Sequence, residues 1–304
     1  MSIASSKYPA KKVLMISPRN FISNPETSID NSFQAATDGN SNPVTEALEE
    51  FTRLKNLLVA NGIDEKVYAQ TDELFTPDAI FPNNWFSTHP EGKLFLYPMK
   101  ALNRRSERRK NIIEDLKRNY PELTDYSGYE KESHFLEGTG SMVIDSENRI
   151  VYAAKSQRTS TQLLKEWSAK MNYEPVIFEA EDQNHSIVYH TNVVMTLGDK
   201  FAIVCMDSIR QDAEKKLLRN KLEETGKEII EISLEQMHAF CGNCLLLQNA
   251  NREHLLVMST RSFDTFTPQQ KNIIEKFAKI IHTDLHTIEN YGGGGARCML
   301  AELF

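Results

Sequence analysis

The chain has 304 residues, 40% of them apolar, enough to bury a large core as one large domain or two small ones. Its net charge of −7 argues against nucleic acid or an anionic membrane as partner, because both call for a basic surface. No apolar run approaches the ~18–20 residues that span a bilayer, the opening MSIASSKYPAKK lacks the apolar centre of a secretion signal, and four cysteines are too sparse for a disulfide framework, so a reducing, cytoplasmic setting is expected.

The first apolar run, KKVLMISP, predicts a single strand. It is followed by a polar stretch, residues 20–41, long for a connection and expected to act as a lid. NPVTEALEEFTRLKNLLVANG then predicts a helix, with Asn42 as N-cap, Pro43 at the first helical position and Gly62 as its stop. Four further helices are predicted from apolar spacing of three and four, in RRSERRKNIIEDLKRNY, STQLLKEWSAKMNY, SIRQDAEKKLLRNKLEETG and TPQQKNIIEKFAKIIH. Between them, NWFSTHPEGKLFLYPM, SMVIDSENRIVYAA, VVMTLGDKFAIVCM and CLLLQNANREHLLVMS each predict strand, turn, strand. The closing RCMLAELF predicts a single strand, which could pair with the first and complete a fifth unit.

A second regularity lies ahead of each hairpin. Asn84, Glu137, His190 and Asn243 follow one another at intervals of 53, and Cys298 comes 55 residues after Asn243. Repetition at this length points to an array closed or stacked on itself. Closed as a ring, five units would aim these five polar residues at one centre; the alternative is an open α/β sheet with accidental spacing. Cys298, His190 and Glu137 would then combine a nucleophile, a proton shuttle and a carboxylate that fixes the imidazole or takes a substrate N–H. The run GGGG before Cys298 lacks the ending of a phosphate loop; glycines there allow backbone to approach a ligand and bring the thiol into a pocket. Arg297, beside it, would point to the opposite face of a strand.

The motifs PDAIFPNNWFST, LEGTG, SQRTS, YHTN and GGGGARC, in that order, resemble the guanidine-modifying enzymes of the pentein superfamily. The resemblance implies a single catalytic domain over 1–304, folded as a five-bladed α/β propeller of ββαβ repeats. It implies Cys298 as nucleophile, His190 as general acid and base, and Glu137 as partner of both. Arg158 would hold the substrate's α-carboxylate, Asp78 its α-amino group, and Arg104 a further carboxylate contact. No cofactor and no metal are implied; the expected partner is a small amino-acid substrate, and oligomeric state is left open.

Two positions depart from the deiminases, which carry acids where this chain has Asn84, next to Asn83, and Asn192. An ionised carboxylate only accepts hydrogen bonds, whereas an asparagine amide also donates. Donors suit the C=O of a neutral ureido group, and the pattern resembles the citrulline-utilisation hydrolases. The expected reaction is citrulline plus water to ornithine, ammonia and carbon dioxide, with hydrolysis of an arginine-type guanidine, or amidino transfer, as the alternative. A non-catalytic propeller that only binds remains a different class of reading. Cys241 and Cys244, in CGNC, have the spacing of a redox pair or half a zinc site but no second ligand pair, and with Cys205 they are expected in the core.

Overall fold

The computed structural model describes residues 8–36, 43–71 and 73–304. The capping role expected of Asn42, and the stretch 37–41, lie outside the described residues. Five three-stranded sheets account for all fifteen described strands. In four of them an antiparallel hairpin is followed by a helix and a third strand parallel to the second. These are β3 (Phe86–His89), β4 (Lys93–Leu96) and β5 (Glu122–Asp125); β6 (Val143–Asp145), β7 (Ile150–Ala154) and β8 (Glu174–Phe178); β9 (Met195–Leu197), β10 (Phe201–Val204) and β11 (Glu228–Glu231); and β12 (Leu245–Gln248), β13 (His254–Ser259) and β14 (Lys279–Thr283).

The fifth sheet joins the two ends of the described chain. β15 (Ala301–Leu303) lies antiparallel to β1 (Lys12–Ser17), with Leu14 opposite Ala301, and β1 runs parallel to β2 (Asp64–Ala69). The pairing expected of the two single strands is therefore present, and five ββαβ units repeat around the molecule.

The helices between second and third strands follow from amphipathic spacing and local caps. Pro43–Ala60 buries Ala47, Phe51, Leu54 and Leu58, the three-and-four pattern of one face. Thr161–Met171 is capped by Ser160 and buries Leu163, Leu164 and Trp167. Pro268–Glu275 opens with a reciprocal cap between Thr267 and Gln270. Each fully buried Leu or Phe contributes ~1.5–3 kcal/mol, so every short sheet depends on the helix packed against it.

The second predicted helix is broken. Leu102–Arg105 and Lys110–Lys117 are separate; Arg104 in the first and Glu107 in the break between them turn inward, while Arg108 reaches Glu130. RCMLAELF also differs from expectation: Ala296–Met299 is a 3₁₀ turn and the strand starts at Ala301. Arg297 is consequently not on the far face of a strand; it donates to Leu300 O and pairs with Glu302. Cys205, Cys241 and Cys244 are buried, and burial raises their thiols, the first two to about 11 and about 12.

Candidate active site

The repeat places one residue per unit in the tight turn that feeds the unit's first strand. Asn84 ends the turn Pro82–Asn84 before β3, Glu137 precedes Gly138–Ser141 before β6, and His190 precedes Thr191–Val194 before β9. Asn243 follows Phe240, to which its backbone N–H is bonded, before β12, and Cys298 lies in Ala296–Met299 before β15. All five are buried.

Glu137 Oε2 accepts from His190 Nε2 at 2.9 Å and faces Arg158 Nη1 at 3.7 Å, and its Oε1 accepts from Lys100 N at 3.0 Å. Burial works to raise the Glu137 pKa, but the charge of Arg158 and the bond to His190 hold it down at about 2. An ionised Glu137 requires the His190 proton on Nε2, which leaves Nδ1 as the nitrogen able to exchange a proton with a ligand. Burial lowers the His190 pKa, opposed by Glu137. It also raises that of Cys298, opposed by Asn243, Arg297, Asn192 and the Gly295 N–H. At neutral pH both groups rest uncharged.

A small cavity of about 10 Å³ is lined by Cys298, His190, Asn84, Asp78, Arg104 and Arg158, with Tyr189, Phe81, Gly292 to Gly294, Thr27 and Asn31 completing the wall. That is room for about one water molecule. Gly140 leaves two of its lining side chains their places: a Cβ there would fall 2.5 Å from Asn84 Nδ2 and 2.7 Å from His190 Nδ1. Gly293 has φ +64°, and a Cβ on it would meet Asn31 at 2.4 Å. A larger cavity, about 420 Å³, is lined by Thr139, Asn192, Cys244 and Arg297 among others. It contains neither Cys298 nor His190, both of which line the smaller one.

Arg104 is held on three sides. It makes paired bonds to Glu107 at 2.9 and 3.0 Å, donates to Phe81 O, and donates from Nη1 to Asn84 Oδ1 at 2.8 Å. This fixes the orientation of the Asn84 amide, whose Nδ2 is buried without a partner. Asp78 Oδ2 accepts from Asn24 and Thr27, while its Oδ1 has no partner. Arg158 donates to Thr27 O at 3.0 Å and pairs with Asp30, which also holds Lys100 Nζ at 2.6 Å.

Asn192 and Asn83 lie outside the small cavity. The Asn192 amide sits 3.6 Å from Cys298 Sγ, and Asn83 bonds Thr139. Sequence reasoning assigned no role to Tyr189, Asp30, Glu107 or Asn243. Tyr189 donates to Gly293 O beside the cavity; only Asn243 carried a sequence signal, its place in the repeat. Among the described residues, no group of three His, Cys, Asp or Glu side chains could hold a metal, and no helix is long and apolar enough to cross a membrane.

The family model described as N,N dimethylarginine dimethylhydrolase, eukaryotic, matches residues 17–304. No curated protein matches the chain. Apo ArgZ, an arginine dihydrolase from the ornithine-ammonia cycle in cyanobacteria, superposes with a TM-score of 0.75 at 15% identity, over 95% of this chain and 40% of its own. The N-terminal domain of ArgZ bound to product gives 0.76 at 16% identity, over 96% and 97%. A dimethylarginine dimethylaminohydrolase carrying an adduct with S-methyl-L-thiocitrulline gives 0.67 at 16% identity, over 97% and 100%. The chain thus spans less than half of full-length ArgZ and nearly all of its N-terminal domain; at these identities the likeness is one of fold.

Proposed function

Because the chain belongs to the eukaryotic N,N dimethylarginine dimethylhydrolase family, among the guanidine-modifying enzymes of the pentein superfamily, we propose that it is a cysteine-dependent hydrolase of the C–N bond in an arginine-like amino acid. Its substrate is citrulline, and its products are ornithine, ammonia and carbon dioxide. The five ββαβ units close as a five-bladed propeller with the small cavity at its centre.

The observation that carries citrulline over arginine is the buried, unpartnered Nδ2 of Asn84. With Oδ1 taken by Arg104, Asn84 offers a ligand only a donor. A guanidinium has only donors and leaves that N–H unpaired, at a cost of ~1–3 kcal/mol. A ureido oxygen satisfies it. Arg104 therefore acts through Asn84, and Asp78 Oδ1 is placed to accept the substrate's α-amino group. Arg158 receives the α-carboxylate when Asp30 releases it.

In the reaction, the Cys298 thiol gives its proton to His190 and attacks the ureido carbon. His190 returns the proton to the departing nitrogen, and Glu137 stabilises the transient imidazolium. Water, giving a proton to His190, then adds to the carbamoyl-type thioester; the C–S bond breaks, Cys298 leaves and regains its proton from His190, and the carbamate set free loses carbon dioxide to give the second amine. The second reading, hydrolysis of an arginine-type guanidine, is favoured by the ionised Glu137, which suits a cationic group.

The test is release of ornithine, citrulline and ammonia from citrulline, arginine, dimethylarginine and succinylarginine, with Cys298→Ser alongside. Ornithine made from citrulline, and lost in the variant, is the expected result. Turnover of a guanidine alone would keep the thiol chemistry and overturn the citrulline assignment.

A further inference from the structure

Of the five repeat positions, Asn243 has no part in the scheme above, yet its side chain is the one most tightly built around the nucleophile. Its Nδ2 donates to Cys298 Sγ at 3.3 Å and to Asn192 O at 2.8 Å. Its Oδ1 accepts from Gly295 N at 3.1 Å, and its backbone carbonyl accepts from Arg297 N at 3.3 Å. One residue thus grips the thiol and the loop on both sides of it. Asn192 stands farther off, at 3.6 Å.

We propose that Asn243 is a catalytic residue: its amide N–H holds Cys298 in place and stabilises the thiolate at the moment of attack, while its carbonyl anchors the glycine loop. The inference rests on Cys298 being the nucleophile. The chemistry is that of a neutral donor facing developing negative charge, where a hydrogen bond strengthens as the charge forms. A cation in the same place would stabilise the thiolate in the resting enzyme too. An amide does so without keeping the thiol permanently ionised, and burial holds the resting thiol protonated. The Asn243 hydrogen bond is the largest influence acting against that burial. The amide cannot rotate freely, because Gly295 N on one side and Asn192 O on the other require one orientation.

The experiment reads the thiol itself and needs no substrate, so it stands even if the panel above is silent. Alkylation of Cys298 by iodoacetamide is followed against pH by mass spectrometry of the peptide that contains it, in wild type, Asn243→Leu and Asn243→Ala. Leucine keeps the shape of asparagine and removes both polar groups; alanine is the fallback if leucine does not fold. Expected is an upward shift of the alkylation midpoint by about one unit, with alkylation near neutrality slowed about tenfold. A midpoint within about 0.3 unit of wild type, in a variant that melts cooperatively, would overturn the proposal. In the unaltered protein, the Asn243 side-chain NH₂ resonances are expected to titrate with the Cys298 thiol. Resonances that stay fixed through that titration would overturn it independently of any variant.

Discussion

Asn84 owes its chemistry to a neighbour that the sequence disguises. Within NRRSERRK, Arg104 and Glu107 read as part of a solvated charged face, yet they are 2% and 4% exposed and form a buried pair. Periodicity cannot reveal an ion pair turned inward, because its letters match those of a helix surface. The repeat spacing, by contrast, did single out Asn84, Glu137, His190, Asn243 and Cys298, since each precedes or lies in the turn before its unit's first strand and the intervals are nearly constant. Asn84→Asp replaces the unpartnered donor by an acceptor, and should raise the arginine-to-citrulline ratio of kcat/KM at least tenfold in a competition assay. Gly140→Ala should lower kcat more than a hundredfold with little change in Tm, because the added carbon displaces Asn84 and His190 together. The uncharged resting pair sets the pH profile. Lowering of His190 from 6.5 places the acid limb of kcat/KM below that value, and raising of Cys298 from 9.0 places the alkaline limb above it. A plateau between is expected from initial rates.

The four hairpins were readable from their turn signals and the helices from their amphipathic periods, but the second helix is broken, and TPQQKNIIEKFAKIIH is helical only to Glu275, its residues 279–282 lying in β14. The third strands were not read from their residues: β5 and β11 are four residues long and only partly buried, so no alternation separates them from loops. The stretch after β1 was readable as a long polar connection, but not what it grips. Segment 24–34 ties Asn24 and Thr27 to Asp78, Asp30 to Arg158 and Lys100, and Asn31 to Gly293 O. With this segment in place the cavity admits about one water molecule, and on the proposed reading an amino acid enters when the segment moves. Asp30 meanwhile occupies the guanidinium proposed for the substrate's carboxylate. Cleavage of residues 20–36 by a low protease concentration should slow at saturating substrate. Asp30→Ala should speed it severalfold in the absence of substrate. Cleavage indifferent to both would remove the lid.

The sheet that unites β15 with β1 and β2 also depends on the helix His286–Gly292, which leads into the glycine loop. Glu50, from the helix Pro43–Ala60, accepts from Thr287 N and Ile288 N at its start. On the same helix, Glu289 is fully buried with neither oxygen hydrogen-bonded and Arg261 4.0 Å away. Burial raises its pKa to about 8, with Ser259 and Arg261 offsetting only part. The folded state thus keeps a proton that the unfolded chain loses above about 4.5. Stability should fall as pH rises between those values. Glu289→Gln should flatten that slope and gain at least ~1 kcal/mol at pH 8 in urea unfolding.

The pairing of Leu14 with Ala301 has a further consequence, in time. Four sheets assemble from strands close along the chain, but this one must bring together segments separated by almost its whole length. Such long-range closure is slow, because chain entropy is lost before any contact compensates it. The proposed nucleophile sits in the turn immediately before β15, so competence should arrive with that last closure and not gradually. In refolding from urea, catalytic activity should lag behind recovery of helical signal and appear in a single late phase.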